Sequence, residues 1–444
     1  MKKIGFLIFG FCLLLSLSAK AELFGLKEYT LNNGLKLIVV PNHKVPIAKH
    51  MVLYKVGASD EKAGKGGSAH LLEHLMFRGT KKIKGDDFNK IMEENGASSN
   101  AYTSQNFTAY HQFVDISRLE LAMFLESDRM QNLKIGDEAF EKEQKIVYQE
   151  RKQVVENNPL YKFNEAVQRA FWQDHPYSRP ITGTEEEILS LTKKDVYDIY
   201  NHFYSPDNAI LIIAGDIKPE KALELAEKYY GQIPAKNITN NRQPEVLDTK
   251  NIINIRMQLP KIEISRWLRK YKAPNYLSDK KVIYAYMILS KYLGEDETSY
   301  LHNKLVVDDN VATAVSTSYD ATSYGNGSFT FSFIPTAENK VDNVKEYFAE
   351  AVSTAIKKFN EDELKNTKNK ILAGLVYAKD NPADAVSIVA NMVGSGMSIE
   401  EVDSFAENIK DVKLEEVKKA AADLLKSSYV EAVAEPFATK GEKK

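Results

Sequence analysis

A chain of 444 residues is too long for one ordinary domain and points to two or three. Hydrophobic residues make up 43% and charged residues 27%, a globular balance with apolar material for more than one core. The 59 basic and 61 acidic residues nearly cancel, and no basic tract or aromatic–basic patch stands out, so nothing points to nucleic acid.

The chain opens on a targeting segment. Lys2 and Lys3 precede an uncharged apolar run, Ile4 to Ser18, and Ala19-Lys20-Ala21 supplies the small-x-small pattern of a cleavage site. The run is shorter than the roughly 20 residues a spanning helix needs. Residues 1–21 are therefore read as a secretory signal, with a bacterial periplasm as the expected destination and no stable membrane span after cleavage. An uncleaved anchor is the alternative. The one cysteine, Cys12, lies inside the signal. The mature chain would hold no disulfide, no catalytic thiol and no sulfur-based zinc site. Losing Lys2, Lys3 and Lys20 leaves 56 basic against 61 acidic residues, a net charge of −5.

Next, "YTLNNGLKLIVVPN" reads as a hairpin about Asn33-Gly34. Gly64, Gly66 and Gly67 then form a turn that opens a helix, "SAHLLEHLM", with Gly79 as its stop. "DEAFEKEQKIVYQERKQVVE" (137–156) is acidic and helical. "AILIIAGDI" (209–217) is a buried strand, and "KPEKALELAEKYYGQIP" is an amphipathic helix closed by Gly231 and Pro234. A polar stretch without periodicity follows, and 236–250 is read as a linker. The second half repeats the plan: strand "NIINIRMQLP", helix 278–294, strands "VATAVSTSY" and "GSFTFSFI", and a helical C-terminus. The expected fold is α+β. Two domains, 22–235 and 251–444, would each be a sheet covered by helices on one face.

The chemistry centres on His70-Leu71-Leu72-Glu73-His74. On a helix, positions i and i+4 share a face, so the two imidazoles can take two positions on a tetrahedral zinc. Glu73 is adjacent and could accept a proton from water in the open position while zinc lowers that water's pKa. This H-x-x-E-H order is the inverted form of a commoner zinc-protease motif. The opposing reading is an ordinary helix with polar residues on one side. The flanking glycines, and Leu71, Leu72, Leu75 and Met76 on the opposite face, argue against chance. Zinc needs a third ligand, and no cysteine remains for it. Glu143 and Glu150 are seven apart on one face of the acidic helix, and spacing alone does not choose between them.

The blocks "GASDEKAGKGGSAHLLEHLMFRGT", "NGASSNAYTSQNFTAYH", "FEKEQKIVYQERKQ", "HPYSRPITGTEEEI" and "FYSPDNAILIIAGDI" together resemble the inverted-motif zinc peptidases. That family includes pitrilysin, insulysin and the mitochondrial processing peptidase, and the likeness is to its shorter branch, over about residues 25–435. The resemblance implies two homologous domains, each with an antiparallel-rich sheet, that together make half of a clamshell. It implies one zinc ion per chain, held by His70, His74 and Glu150, with Glu73 as the base and Glu143 supporting the site. "SSNAYT" matches the family's edge strand, which places Asn100 and Ala101 beside an extended peptide substrate.

One departure matters. The family's second domain carries a substrate-binding Arg and Tyr, and the matching positions here are Val307 and Thr313. The neighbouring block also departs, reading Thr298-Ser299-Tyr300. The resemblance then implies a homologous partner subunit that supplies the missing pair. The alternative is a homodimer in which Tyr300 or Tyr319 substitutes. A catalytically silent peptide-binding or scaffold subunit is the competing reading. His111 and His175 are read as structural, and "GSG" at 394–396 as a turn.

Overall fold

The computed structural model describes residues 23–85, 87–239, 242, 251–278 and 280–437. The expected signal and most of the expected linker lie outside the described residues.

Among the described residues, eleven strands form two mixed sheets. The first holds β1 (Lys27–Thr30), β2 (Lys36–Pro41), β3 (Ile47–Tyr54), β4 (Ser98–Thr103), β5 (Thr108–Asp115) and β6 (Ala209–Gly215), in the order β1-β2-β6-β3-β5-β4. The second holds β7 (Ile252–Leu259), β8 (Arg266–Ala273), β9 (Ala312–Asp320), β10 (Gly327–Pro335) and β11 (Tyr429–Pro436), in the order β7-β11-β8-β10-β9. Without β1, the two orders are the same. Each sheet has a single parallel pair, β2 with β6 and β7 with β11, and is otherwise antiparallel. The second half therefore repeats the first, and β9 occupies the place of β4.

The expected hairpin joins β1 to β2. Gly34 has φ +84° there, and a Cβ on it would stand 2.9 Å from the Cβ of Asp207, so conformation and space both call for glycine.

The first half adds α1 (Ser68–Leu75), α2 (Asp87–Glu94), α3 (Leu119–Asn132), α4 (Asp137–Asn157), α5 (Tyr161–Trp172), α6 (Glu185–Ser190), α7 (Lys193–Phe203) and α8 (Pro219–Tyr229). Side chains alternate across each strand. Leu37, Val39, Val52, Tyr54, Leu211 and Ile213 point to one face and pack with apolar residues of α1, α3, α7 and α8. Ile38, Val40, Met51, Leu53, Ile210 and Ile212 point to the other.

That second face is not left to water. Helix Pro382–Gly394 of the C-terminal half lies on β2, β3 and β6 and buries Val386, Val389 and Ala390 against it. The exchange is reciprocal. The C-terminal sheet packs Trp267, Phe329, Phe331 and Phe333 against its own α9 (Lys280–Gly294) and helix Val341–Lys358. Its opposite face, with Val430, Ala432 and Ala434, meets Phe163, Val167 and Phe171 of α5. Each sheet thus has its own helices on one face, as expected, and a helix of the other half on the second. Polar bonds reinforce the join. Asn106 Nδ2 donates to the Thr322 carbonyl at 2.9 Å, and the Tyr324 N–H donates to the Tyr177 hydroxyl at 2.8 Å. Among the described residues, no helix is long and apolar enough to cross a membrane.

Candidate metal centre

The centre is built on α1. Gly67 caps it with φ +83°, and a Cβ there would sit 2.4 Å from the Thr182 carbonyl oxygen. Buried Glu61 accepts the Gly67 N–H at 3.0 Å and the Ala69 N–H at 2.8 Å, fixing the first turn. Burial pushes the Glu61 carboxyl up to about 8 despite these bonds. Leu71, Leu72 and Leu75 are fully buried beneath the helix. His70, Glu73 and His74 are left on the opposite side, with the two imidazole rings 4.9 Å apart.

Helix α4 supplies the acids. Glu150 Oε2 stands 3.4 Å from His74 Nε2 and 4.0 Å from His70 Nε2. One donor atom from each of His70, His74 and Glu150 falls within 4.8 Å of the others. Two ligands at about 2.1 Å from a tetrahedral zinc lie about 3.4 Å apart, so this set fits the ion after small inward movements. Two imidazoles and one carboxylate also leave a fourth position open, as catalytic zinc requires.

Glu143 plays a different part from Glu150. It is fully buried, its Oε2 is 3.3 Å from His74 Nδ1, and its Oε1 is 2.8 Å from Arg78 Nε. A carboxylate behind the second ring nitrogen fixes the imidazole's orientation and tautomer. His70 has no such support among the described residues, where its Nδ1 is buried without a hydrogen-bond partner.

In the metal-free protein, burial drives His70 down to about 4, helped by the charge of His74 and opposed by Glu150. Burial also opposes charge on His74, but its bonds to Glu143 and Glu150 outweigh that and hold it up to about 9. The bond to His74 keeps Glu150 below the usual carboxylate range, against the effect of burial. Burial raises Glu73, while the Thr103 hydroxyl, donating to its Oε2 at 2.6 Å, restrains the rise.

Thr103 ends β4, the last strand of its sheet. Asn100 and Ala101 lie on the same strand. Asn100 is exposed, and its Oδ1 accepts the N–H of Ala101 at 2.8 Å. Arg78 and Glu61 flank the motif in the chain, whereas Thr103 is brought to it only by the fold.

The remaining candidates lie apart. Val307 is 63% exposed, and Thr313 is exposed at the start of β9. Tyr319 donates its hydroxyl to the Pro274 carbonyl at 2.7 Å and packs on Tyr286 and Phe329, while Tyr300 packs on Tyr292. His175 Nδ1 accepts the N–H of Tyr177 and caps a short turn. His111 lies against Tyr102 in β5. Gly394 closes a helix, and Gly396, with φ +98°, belongs to the turn after it.

The model of the insulinase peptidase family, M16, matches residues 37–185, and the model of the M16 inactive domain matches residues 190–371. The zinc protease PqqE of Helicobacter pylori is 32% identical over 305 residues, 66% of this chain and 66% of that protein. The crystal structure of a protease from Helicobacter pylori superposes with a TM-score of 0.85 at 24% identity, over 93% of this chain and 99% of that one. The periplasmic protease PqqL of Escherichia coli gives a TM-score of 0.78 at 17% identity, over 92% of this chain but 47% of that one. The chain thus spans about half the length of PqqL. With both halves matched to models of one family and the fold shared, the chain belongs to the M16 peptidases.

Proposed function

We propose that the chain is the zinc-bearing subunit of an endopeptidase that cuts extended or unfolded peptides, and that a homologous partner subunit completes its site. The observation that carries this reading is the convergence of His70, His74 and Glu150 beside Glu73, with Glu73 bonded to the end of an edge strand.

His70, His74 and Glu150 would hold one zinc ion, which when bound lowers the pKa of water and polarises a carbonyl. Glu143 keeps His74 turned toward the donor cluster. Glu73 takes the proton from the attacking water through the oxygen not engaged by Thr103 and passes it to the leaving amine. Burial favours that role by bringing its proton affinity closer to neutral pH. Strand β4 pairs with the peptide backbone about Asn100 and Ala101, which selects extended chains over folded ones.

The partner rests on what this chain lacks. The resemblance puts Val307 and Thr313 where the family carries Arg and Tyr, and Tyr300 and Tyr319 are engaged within their own half. A homodimer is the alternative. A periplasmic location and loss of residues 1–21 follow from the leader pattern, and PqqL is itself described as periplasmic. The domain limits proposed are 22–235 and 251–444, with 236–250 between them. A silent peptide-binding subunit is the second reading; residues 190–371 match the M16 inactive domain, while His70, Glu73, His74 and Glu150 lie in the range that matches the peptidase model.

The test uses purified mature chain with an unfolded peptide. One zinc per chain is expected, lost in His70→Ala and His74→Ala. Glu73→Gln should keep the metal and stop cleavage, and a homologous Arg/Tyr-bearing subunit should raise wild-type turnover strongly. Zinc retained in both histidine variants would refute the site. Full activity of the chain alone would refute the partner.

A further inference from the structure

Two cavities outside the metal centre meet at the far end of α4. One, of about 490 Å³, is lined by Asn158, Pro159, Lys261 and Thr313 among others. The second, of about 260 Å³, lies between the start of α5 and the sheet face made by β8, β9 and β10. Leu160, Arg266 and Ile334 line both, so Arg266 stands at the junction.

Arg266 is unlike most arginines of this chain. Arg78, Arg129, Arg151, Arg242, Arg256 and Arg269 each hold a carboxylate. Arg266 has none within ion-pair distance among the described residues, and its Nε is buried with no hydrogen-bond partner. A buried donor left unpaired is unfavourable, and a guanidinium presents a fork matched to a carboxylate. The surroundings suit a peptide. Ser316 and Ser332 line the same cavity with hydroxyls, and Phe163 and Ile334 give it apolar walls. Among the described lining residues, the one acid, Glu263, is balanced by Lys261.

We propose that this groove is an anchoring site for a carboxylate-bearing peptide segment, with Arg266 as the residue that holds the carboxylate. The inference deepens the peptidase reading and rests on it. Asn158 lies eight residues beyond Glu150 along α4, about 12 Å of helix. An extended chain covers that in about four residues. The anchored carboxylate therefore belongs about four or more residues from the bond to be cut, on an acidic side chain or at the peptide's C-terminus.

The test is peptide binding to the full chain carrying Glu73→Gln, read by fluorescence anisotropy. The probe is a labelled ten-residue unstructured peptide with one Glu and a free C-terminus. Its Glu→Gln form, its C-terminal amide and the doubly neutral form are compared with it. The charged peptide should bind about tenfold tighter than the doubly neutral one, and Arg266→Met should abolish that difference. Loss on amidation alone assigns the terminus, and loss on Glu→Gln alone assigns the side chain. Ile334→Glu places a competing carboxylate in the groove and should also abolish the preference, so the test survives a poorly folding Arg266→Met. An undiminished preference in both variants would overturn the proposal, as would a change in the mass of the assembly with the preference intact. Cleavage of the doubly neutral peptide by the wild-type chain tests the peptidase reading separately.

Discussion

Thr103 donates its hydroxyl to Glu73 Oε2 at 2.6 Å, so the end of the edge strand grips the residue proposed to take the proton from water. On the proposed function, peptide capture and proton transfer would share one short strand. Removing the donor in Thr103→Val lets the Glu73 pKa rise further, since burial already raises it and this bond opposes the rise. The acidic limb of the kcat–pH profile should move to higher pH, and kcat should fall about tenfold. Thr103→Ser should behave as wild type. An unmoved limb in the valine variant would show that the bond does not tune Glu73.

Glu143→Gln separates orientation from ligation. Glu143 reaches His74 Nδ1, the nitrogen turned away from Glu150. The variant should still bind one zinc but about 10–100-fold more weakly, measured by competition with a chelator. Undiminished affinity would leave Glu143 as no more than the counter-charge of Arg78.

Metal binding should release a proton. At pH 7 His70, held at about 4, is neutral, and Glu150, held low, is ionised. His74, held at about 9, carries the proton that must leave when the metal binds. About one proton per zinc should appear in calorimetry run in two buffers of different ionisation heat. Affinity should rise about tenfold per pH unit from pH 5 to 8 and level off above 9, because the proton competes with the metal only below the His74 pKa. Zero release at pH 7 would mean that His74 is already neutral.

Gly394→Val tests the join between the halves. A Cβ there would stand 2.7 Å from Phe107 Cδ1 and 3.2 Å from Leu53 Cδ1, both in the other half. Overpacking of this kind costs about 1–3 kcal/mol. Urea unfolding should show a lower midpoint with a single shared transition. Two separated transitions would show that the halves unfold independently.

The sequence exposes α1 well because its chemistry is local. His70 and His74 fall one turn apart, and the glycines before them mark the turn. Glu143 and Glu150 look alike in sequence because seven residues put them on one face of α4. Burial tells them apart: Glu143 is sealed against Arg78, while the Glu150 side chain is 43% exposed beside both imidazoles. Thr103 lies thirty residues from Glu73 and reaches it only through sheet pairing, which leaves no trace in spacing. The exchanged helices are hidden for a similar reason. "PADAVSIVANMVG" is visibly apolar, but nothing in it names a foreign sheet as the surface it covers.

That exchange has a mechanical consequence. A hinge between the two halves would have to peel α5 from one sheet and helix Pro382–Gly394 from the other at every stroke. Each buried Val or Phe returned to water costs about 1.5–3 kcal/mol, and several would be exposed together. The chain therefore resists bending between its halves, and on the proposed function a peptide would be admitted by movement against the partner subunit.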